Sequence, residues 1–262
     1  MRRAVDVVIG TPIYRPGAYI IDIFMSNQRE VQREYPSCEL VLATNEIDLV
    51  SELEQMLDSY GLAGKIILYD TVKPGYAKSK VWNIACGREA IRQYFLSQTE
   101  ARYYLSIDAD MVYDPAVIKI MKTEIQGYDV VFSGYPLRDF GIGLTGAGCM
   151  MVNRETLEKA RFRCLEFKNG EMMSEDNLFE MDSFRQRRKI KKGVFLRASH
   201  YKKENDVEHV EPQPIGMYRK IATSALLRYL LIRGSLIVKY NIPRHLWRIR
   251  WRMNKSIGNL IH

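Results

Sequence analysis

Short β-branched runs alternate with helix-period segments through the first half of the chain, and this alternation restricts the fold more than any other feature. Strands joined by tight turns pair antiparallel; strands separated by helical segments return in parallel and bury both sheet faces under helices. "VDVVIGTP" (5–12) is the first strand and its loop, followed by a helix of roughly 15 residues from Ala18. "ELVLATN" (39–45) is the second strand, "DLVSELEQMLDSYG" (48–61) a helix stopped by Gly61, and "KIILYD" (65–70) the third strand. Then come the helix "SKVWNIACGREAIRQYFL" (79–96), the fourth strand "RYYLSIDAD" (102–110), a helix entered through Pro115 (115–127) and the fifth strand "YDVVFSGYP" (128–136). Such βαβ units build an α/β domain around a mostly parallel sheet, whose strand C-terminal ends share the edge where ligands bind.

Beyond Pro136 the pattern loosens into "RDFGIGLTGAG" (138–148), which spells the dinucleotide fingerprint at Gly141, Gly143 and Gly146. That fingerprint needs a strand before it and a helix opening within it, whereas "CMMVN" (149–153) follows here and reads as a strand. The segment is therefore expected to be a loop beside the site, with no nicotinamide or flavin. "CMMVN" is in turn capped into the helix "RETLEKARF" (154–162).

With 47% hydrophobic and 27% charged residues over 262 positions, the chain has the composition of a globular protein, without repeats or low-complexity tracts. Cys38, Cys86, Cys149 and Cys164 lie far apart among apolar neighbours, which fits small core residues in a reducing compartment and no zinc or disulfide framework. The first apolar run is too short for a secretory signal, so the expected location is cytoplasmic. Charge is unevenly spread: from Pro212 to His262 there are ten Lys or Arg and no Asp or Glu, leaving residues 1–211 at −2 out of a net +8. A near-neutral domain (1–211) carrying a basic tail (212–262) is expected.

The chemistry concentrates at the fourth strand's end, where Asp108 and Asp110 flank Ala109. By the period-two rule they leave the sheet on one face, and two unpaired carboxylates there raise each other's pKa. A hard divalent cation, Mg²⁺ or Mn²⁺, removes that penalty and supplies charge for a phosphate-bearing substrate. The structural alternative is that one aspartate caps the next helix while the other is solvated.

The surroundings of this pair resemble nucleotide-sugar glycosyltransferases of the GT-A fold, especially family 2. The motifs carrying the resemblance are Gly10-Thr11-Pro12 after the first strand, "KSKVWNIA" with Lys78 and Asn83, "SIDADM" at the aspartates, and "SEDNLFEMDSFRQR" with Glu175 and Asp176. They run in family order over about residues 5–210. The resemblance implies that Asp110 coordinates a metal bridging the diphosphate, with Asp108 by the ribose and reaching the metal through water. It implies that Thr11, Pro12, Lys78, Asn83 and Ala109 bind the nucleotide sugar, that His200 completes the metal site with His209 as its rival, and that Asp176, beside Glu175, is the base for the acceptor hydroxyl. Helix capping is the alternative role for Glu175 and Asp176. Asp70, ending an uninterrupted β run at the ligand edge, and Glu46 are candidates to hold the base or ribose, and Tyr14 or Tyr76 to stack on it.

The implied activity is metal-dependent transfer of one sugar from a UDP- or GDP-type donor, inverting, to a glycan or lipid-linked hydroxyl. Only "FRQRR" (184–188) stands where processive members carry their Q-x-x-R-W motif, which favours single-sugar transfer. A retaining enzyme, a sugar-1-phosphate nucleotidyltransferase and a non-catalytic binding protein are the alternatives. The nucleotidyltransferase should show a longer glycine-rich loop with Arg and Lys than "GTPIYRPG" (10–17).

In the tail, the 20 residues 221–240 are interrupted by Arg228 and Arg233 and read as an interfacial or docked helix. Past Pro243, Leu246, Ile249, Met253, Ile257 and Leu260 share one helical face, opposite Arg244, Arg248, Arg252 and Lys255, with Trp247 and Trp251 along the boundary. This pattern suits a peripheral position on an anionic membrane, or packing on the catalytic domain or a second subunit. Nucleic acid is not expected, because the near-neutral body offers no matching basic groove.

Overall fold

In the computed structural model, residues 5–71, 79–133, 148–167, 172–194, 196–203, 206–210 and 224–241 are described. The central sheet contains β1 (Val7–Pro12), β2 (Cys38–Thr44), β3 (Gly64–Leu68), β4 (Tyr103–Ile107), β6 (Val130–Ser133), β7 (Cys149–Asn153) and β10 (Ile190–Val194), in spatial order β10-β6-β7-β4-β1-β2-β3. All neighbours run parallel except around β7, which is antiparallel to both β4 and β6. The alternating pattern thus reports the architecture correctly. The one reversed strand, "CMMVN", follows the segment where that alternation breaks down.

Helices α1 (Ile21–Glu34) and α2 (Ile47–Tyr60) help cover one face of the sheet, together with α4 (Val117–Glu124). Their apolar residues meet Ile9, Leu40, Leu42 and Leu105 there. Helix α3 (Lys80–Gln98) covers the other face through Ile91 and Phe95, packed with Val8, Val41, Tyr104 and the short α5 (Arg154–Lys159). β1 is buried along all six residues, as a central strand covered on both sides must be. The local signals behave as the residue types dictate: Gly61 stops α2 at φ 64°, Ser79 accepts from the Trp82 amide to start α3, and Asn153 accepts from the Thr156 amide to start α5.

Residues 192–199 are shared between two strands: β10 ends at Val194 after a register shift and Gly193 at φ 82°, and β11 (Ala198–Lys203) follows it. His200 consequently lies inside β11, which joins β5 (Met111–Tyr113) and β12 (Asp206–Val210) in a small antiparallel sheet beside the turn that follows β4. Helix α6 (Glu175–Arg185) begins at "SED" as expected, after the two-residue pair of β8 (Leu165–Glu166) and β9 (Met172–Met173). Helix α7 (Ala225–Asn241) packs on α6, with Phe184 stacked on Tyr229 at 4.7 Å and Ile232 buried among Phe167, Met173, Leu178 and Met181. The expected domain boundary at 211/212, the loop 138–147 and the amphipathic pattern past Pro243 lie outside the described residues.

Two glycines permit close approaches at the ligand edge. A Cβ on Gly10 would lie 2.3 Å from Tyr104 Cε2 and 2.8 Å from Ile91, and one on Gly87 would lie 2.9 Å from the Pro12 side chain. Gly10→Ala is therefore expected to cost about 1–3 kcal/mol through overpacking, measurable by urea unfolding.

Candidate active site

β4 ends at Ile107, and the Asp108 amide donates to the Gly148 carbonyl at 3.0 Å while the Met111 amide donates back to the Asp108 carbonyl at 3.1 Å. Residues 108–110 therefore turn rather than continue the strand. Strand alternation therefore does not place the two carboxylates, because that rule holds only for extended backbone; the turn brings both to one cleft. Asp108 Oδ1 accepts from Arg88 Nη2 at 2.5 Å, and Asp110 Oδ2 lies 3.6 Å from His200 Nε2.

Arg88 is the residue that sequence reasoning missed. It is buried in α3 one position after Gly87, where the helix approaches Pro12, and its second Nη donates to Glu175 at the start of α6. The guanidinium thus forks between two carboxylates from distant segments. Burial works against its charge, yet Asp108 and Glu175 together hold its pKa above the ordinary arginine value. Burial likewise raises the Asp108 carboxyl; Arg88 opposes the rise and Asp110 adds to it. Burial pushes Glu175 up to about 7, against the pull of Arg88 and with the help of Asp176. The available signal was an arginine amid "NIACGREAI", on a helix that had to lie against a sheet.

A cleft of about 200 Å³ opens at this edge, lined by Pro12, Tyr14, Lys80, Asp108, Ala109 and Asp110 among others. Pro12, Ala109 and both aspartates are thus brought together as expected, and Tyr14, proposed for stacking, forms part of the wall. Burial, then the nearby Asp108 and Asp110, raise the Tyr14 hydroxyl to about 12, so it enters neutral-pH chemistry as a hydrogen-bond donor. Lys80 and Lys202 are two further lining residues that sequence reasoning did not select; Lys80 brings positive charge to the cleft, and Lys202 Nζ is paired with Glu208 at 2.7 Å.

The other expected residues are placed as follows. Thr11 is fully buried in β1, with no hydrogen-bond partner for its hydroxyl among the described residues, and Asn83 is buried in α3 with its carbonyl accepting from the Tyr69 hydroxyl. Asp70 is exposed past β3 and lines a separate groove of about 530 Å³ with Trp82 and Phe162. Glu46 accepts from the Arg15 amide at 3.0 Å. Lys78 and Tyr76 lie outside the described residues. Asp176 Oδ1 accepts from the Ser174 hydroxyl and from the Asn177 amide at 2.7 Å, which fixes its rotamer at the α6 N-terminus. His209 approaches Ser199 Oγ at 3.0 Å through Nδ1, whereas the β5–β11 register sets His200 opposite Met111 and so beside Asp110.

The donor chemistry suits a hard divalent cation: Asp110 offers carboxylate oxygen at the cleft and His200 an imidazole nitrogen behind it. Among the described residues no three His, Cys, Asp or Glu side chains gather as a complete metal site. Asp108, expected as a second ligand, is engaged by Arg88.

No family model matches the chain, and no curated protein does so either. Solved structures match its fold. The mannosyltransferase PcManGT from Pyrobaculum calidifontis, in complex with GDP-Man and Mn²⁺, superposes with a TM-score of 0.53 at 13% identity, over 90% of this chain and 62% of that one. TarS from S. aureus superposes with a TM-score of 0.51 at 12% identity over 92% of this chain, which spans only 41% of TarS. A shorter TarS structure in complex with UDP gives 0.50 at 10% identity, over 92% of this chain and 68% of that one. The fold is therefore the GT-A type anticipated from the motifs, a mostly parallel α/β sheet flanked by helices.

Two outcomes follow from the Arg88 fork. Replacing Arg88 by Met leaves buried Glu175 and half-buried Asp108 without their cation and is expected to cost about 3–5 kcal/mol in chemical unfolding, with Arg88→Lys intermediate. Glu175 binds its proton more tightly folded, near 7, than at its ordinary 4.5, so its contribution to stability is fully present below about 4.5 and is lost as pH rises through about 7. Glu175→Gln should remove that slope from stability measured across the same window.

Proposed function

We propose that this chain is a glycosyltransferase that moves a single sugar from a nucleoside-diphosphate sugar to an acceptor hydroxyl with inversion at the anomeric carbon. The observation that carries the proposal is the cleft at the sheet's C-terminal edge, where Asp108 and Asp110 meet Lys80 and Lys202. Phosphate-bearing ligands bind at this edge in open α/β folds. The fold likeness to structures holding UDP or GDP-Man supports a nucleotide-sugar ligand.

Asp110, backed by His200, would hold Mn²⁺ or Mg²⁺, which when bound supplies the charge that stabilises a departing diphosphate. Lys80 adds cationic stabilisation from the protein itself. Tyr14 donates its hydroxyl to the ligand while its ring forms the wall for a base or sugar. Arg88 holds Asp108 inward, leaving that carboxylate to accept from a ribose hydroxyl through its other oxygen. Asp176, its rotamer set by Ser174 and Asn177, takes the acceptor proton; a carboxylate of ordinary basicity suffices because the hydroxyl grows more acidic as the new bond forms. Glu175 supports it from the buried side, bound to Arg88. Ala109 in the wall, with Thr11 and Asn83 buried in the adjoining β1 and α3, shapes the donor pocket.

The acceptor in this reading is a glycan or lipid-linked hydroxyl, and the basic segment past Pro243 keeps the protein peripheral to an anionic membrane on its cytoplasmic side. Thermal shift with UDP, GDP and their sugars, with and without Mn²⁺, tests the site directly, because a ligand bound only by the folded state raises Tm. Asp110→Asn should abolish the Mn²⁺-dependent part of that rise. Asp176→Asn should retain the rise but lower kcat by about 10²–10⁴ with the donor KM little changed. Full turnover by Asp110→Asn, or no nucleotide-dependent shift in the native protein, would overturn the assignment.

A further inference from the structure

Helix α7 has two apolar faces and uses one of them. Tyr229, Ile232 and Leu236 pack with α6 and its neighbours in a small core of their own. On the other side Leu226, Leu230, Leu231, Ile237 and Val238 are between 41% and 55% exposed. Helical stepping puts Leu226, Leu230 and Ile237 in one row and Leu231 and Val238 in a second. Gly234, between the rows, has open space where its side chain would be. Five large aliphatic side chains contiguous on one 17-residue helix are an interaction patch, not the scattered exposure common on protein surfaces.

The charge of the sequence that contains and flanks α7 selects the occupant of this face. The stretch from Pro212 to His262 carries ten Lys or Arg and no Asp or Glu, set against a body of net −2. A second copy meeting at this face would bring like charge against like, and a nucleic acid would leave the five aliphatic side chains unmatched. An anionic lipid surface satisfies both the apolar face and the basic flanking sequence. Arg233, exposed at the edge of the face, donates through Nη1 to the Tyr229 hydroxyl at 3.3 Å, an arrangement suited to the depth of lipid headgroups. Among the described residues no helix is long and apolar enough to cross a membrane.

We propose that the exposed face of α7 is a docking surface for an anionic bilayer, its leucines directed at the acyl boundary. Because α7 packs on α6, and α6 begins at Glu175 and Asp176, docking sets the cleft at a fixed height above the lipid. That height would serve a lipid-linked acceptor; this consequence rests on the proposed transfer, whereas the docking does not.

The test uses the full chain without donor or acceptor, so its failure is separate from any failure of the transferase reading. Co-sedimentation is measured with vesicles of phosphatidylcholine alone and with about 30% phosphatidylglycerol, at low and high salt. The native chain should bind the anionic vesicles and release with salt. The combined Leu226→Ser, Leu230→Ser and Ile237→Ser variant should bind at least about tenfold more weakly, with Tm and far-UV circular dichroism unchanged because these side chains are solvated. Should the combined variant lose its fold, the single Leu230→Glu change must show the same direction. Undiminished binding by the folded variants, absence of anionic-vesicle binding by the native chain, or a change in dimerisation by sedimentation velocity without a change in vesicle binding would each overturn the proposal.

Discussion

The site is organised around one buried guanidinium. Arg88 reaches Asp108, 20 residues away in sequence, and Glu175, 87 residues away, so one side chain ties the turn after β4 to the start of α6. Without it, three acidic groups, Asp108, Glu175 and Asp176, would converge with no buried counter-charge. Desolvating a charged arginine is expensive, and the expense is offset only because both of its hydrogen-bonding arms meet carboxylates. Such a pair is weak evidence for net stability but good evidence for position, since alternative placements of α6 would strand a charge.

The rest of the framework serves that placement. Gly87 lets α3 approach the end of β1, which brings the next residue, Arg88, against the turn. β10 ends at Val194, and the register of the small antiparallel sheet that follows sets His200 beside Asp110. Two carboxylates only one residue apart thus acquire different partners and different roles. Asp108 is held by the Arg88 guanidinium, and Asp110 lies at the cleft beside His200. Helix α7 extends the same logic outward, since its inner face fixes α6 and its outer face remains available to a surface.

Much of this was legible in the residue pattern. The alternating runs specified five strands and their helices because central strands, buried on both faces, admit few polar residues. The aspartate pair and "SED" were visible as short motifs because each combines polar chemistry with a strand or helix end, whereas His200 lies inside β11. Arg88 was not, because an arginine inside a helix usually snorkels to water, and nothing local says that this one faces the sheet. Asp70 was placed at the ligand edge by strand logic, yet its exposed position beyond β3 opens onto a different groove.

Sequence alone determined the α/β class, the strand-end location of the carboxylates and the acidic helix start, all of which depend on near-neighbour periodicity and capping. Tertiary structure decided which carboxylate meets which partner, that "CMMVN" runs antiparallel, and that one face of α7 stays open. Those outcomes depend on contacts between segments tens of residues apart. Packing and charge compensation select such contacts only once the whole chain has closed around them.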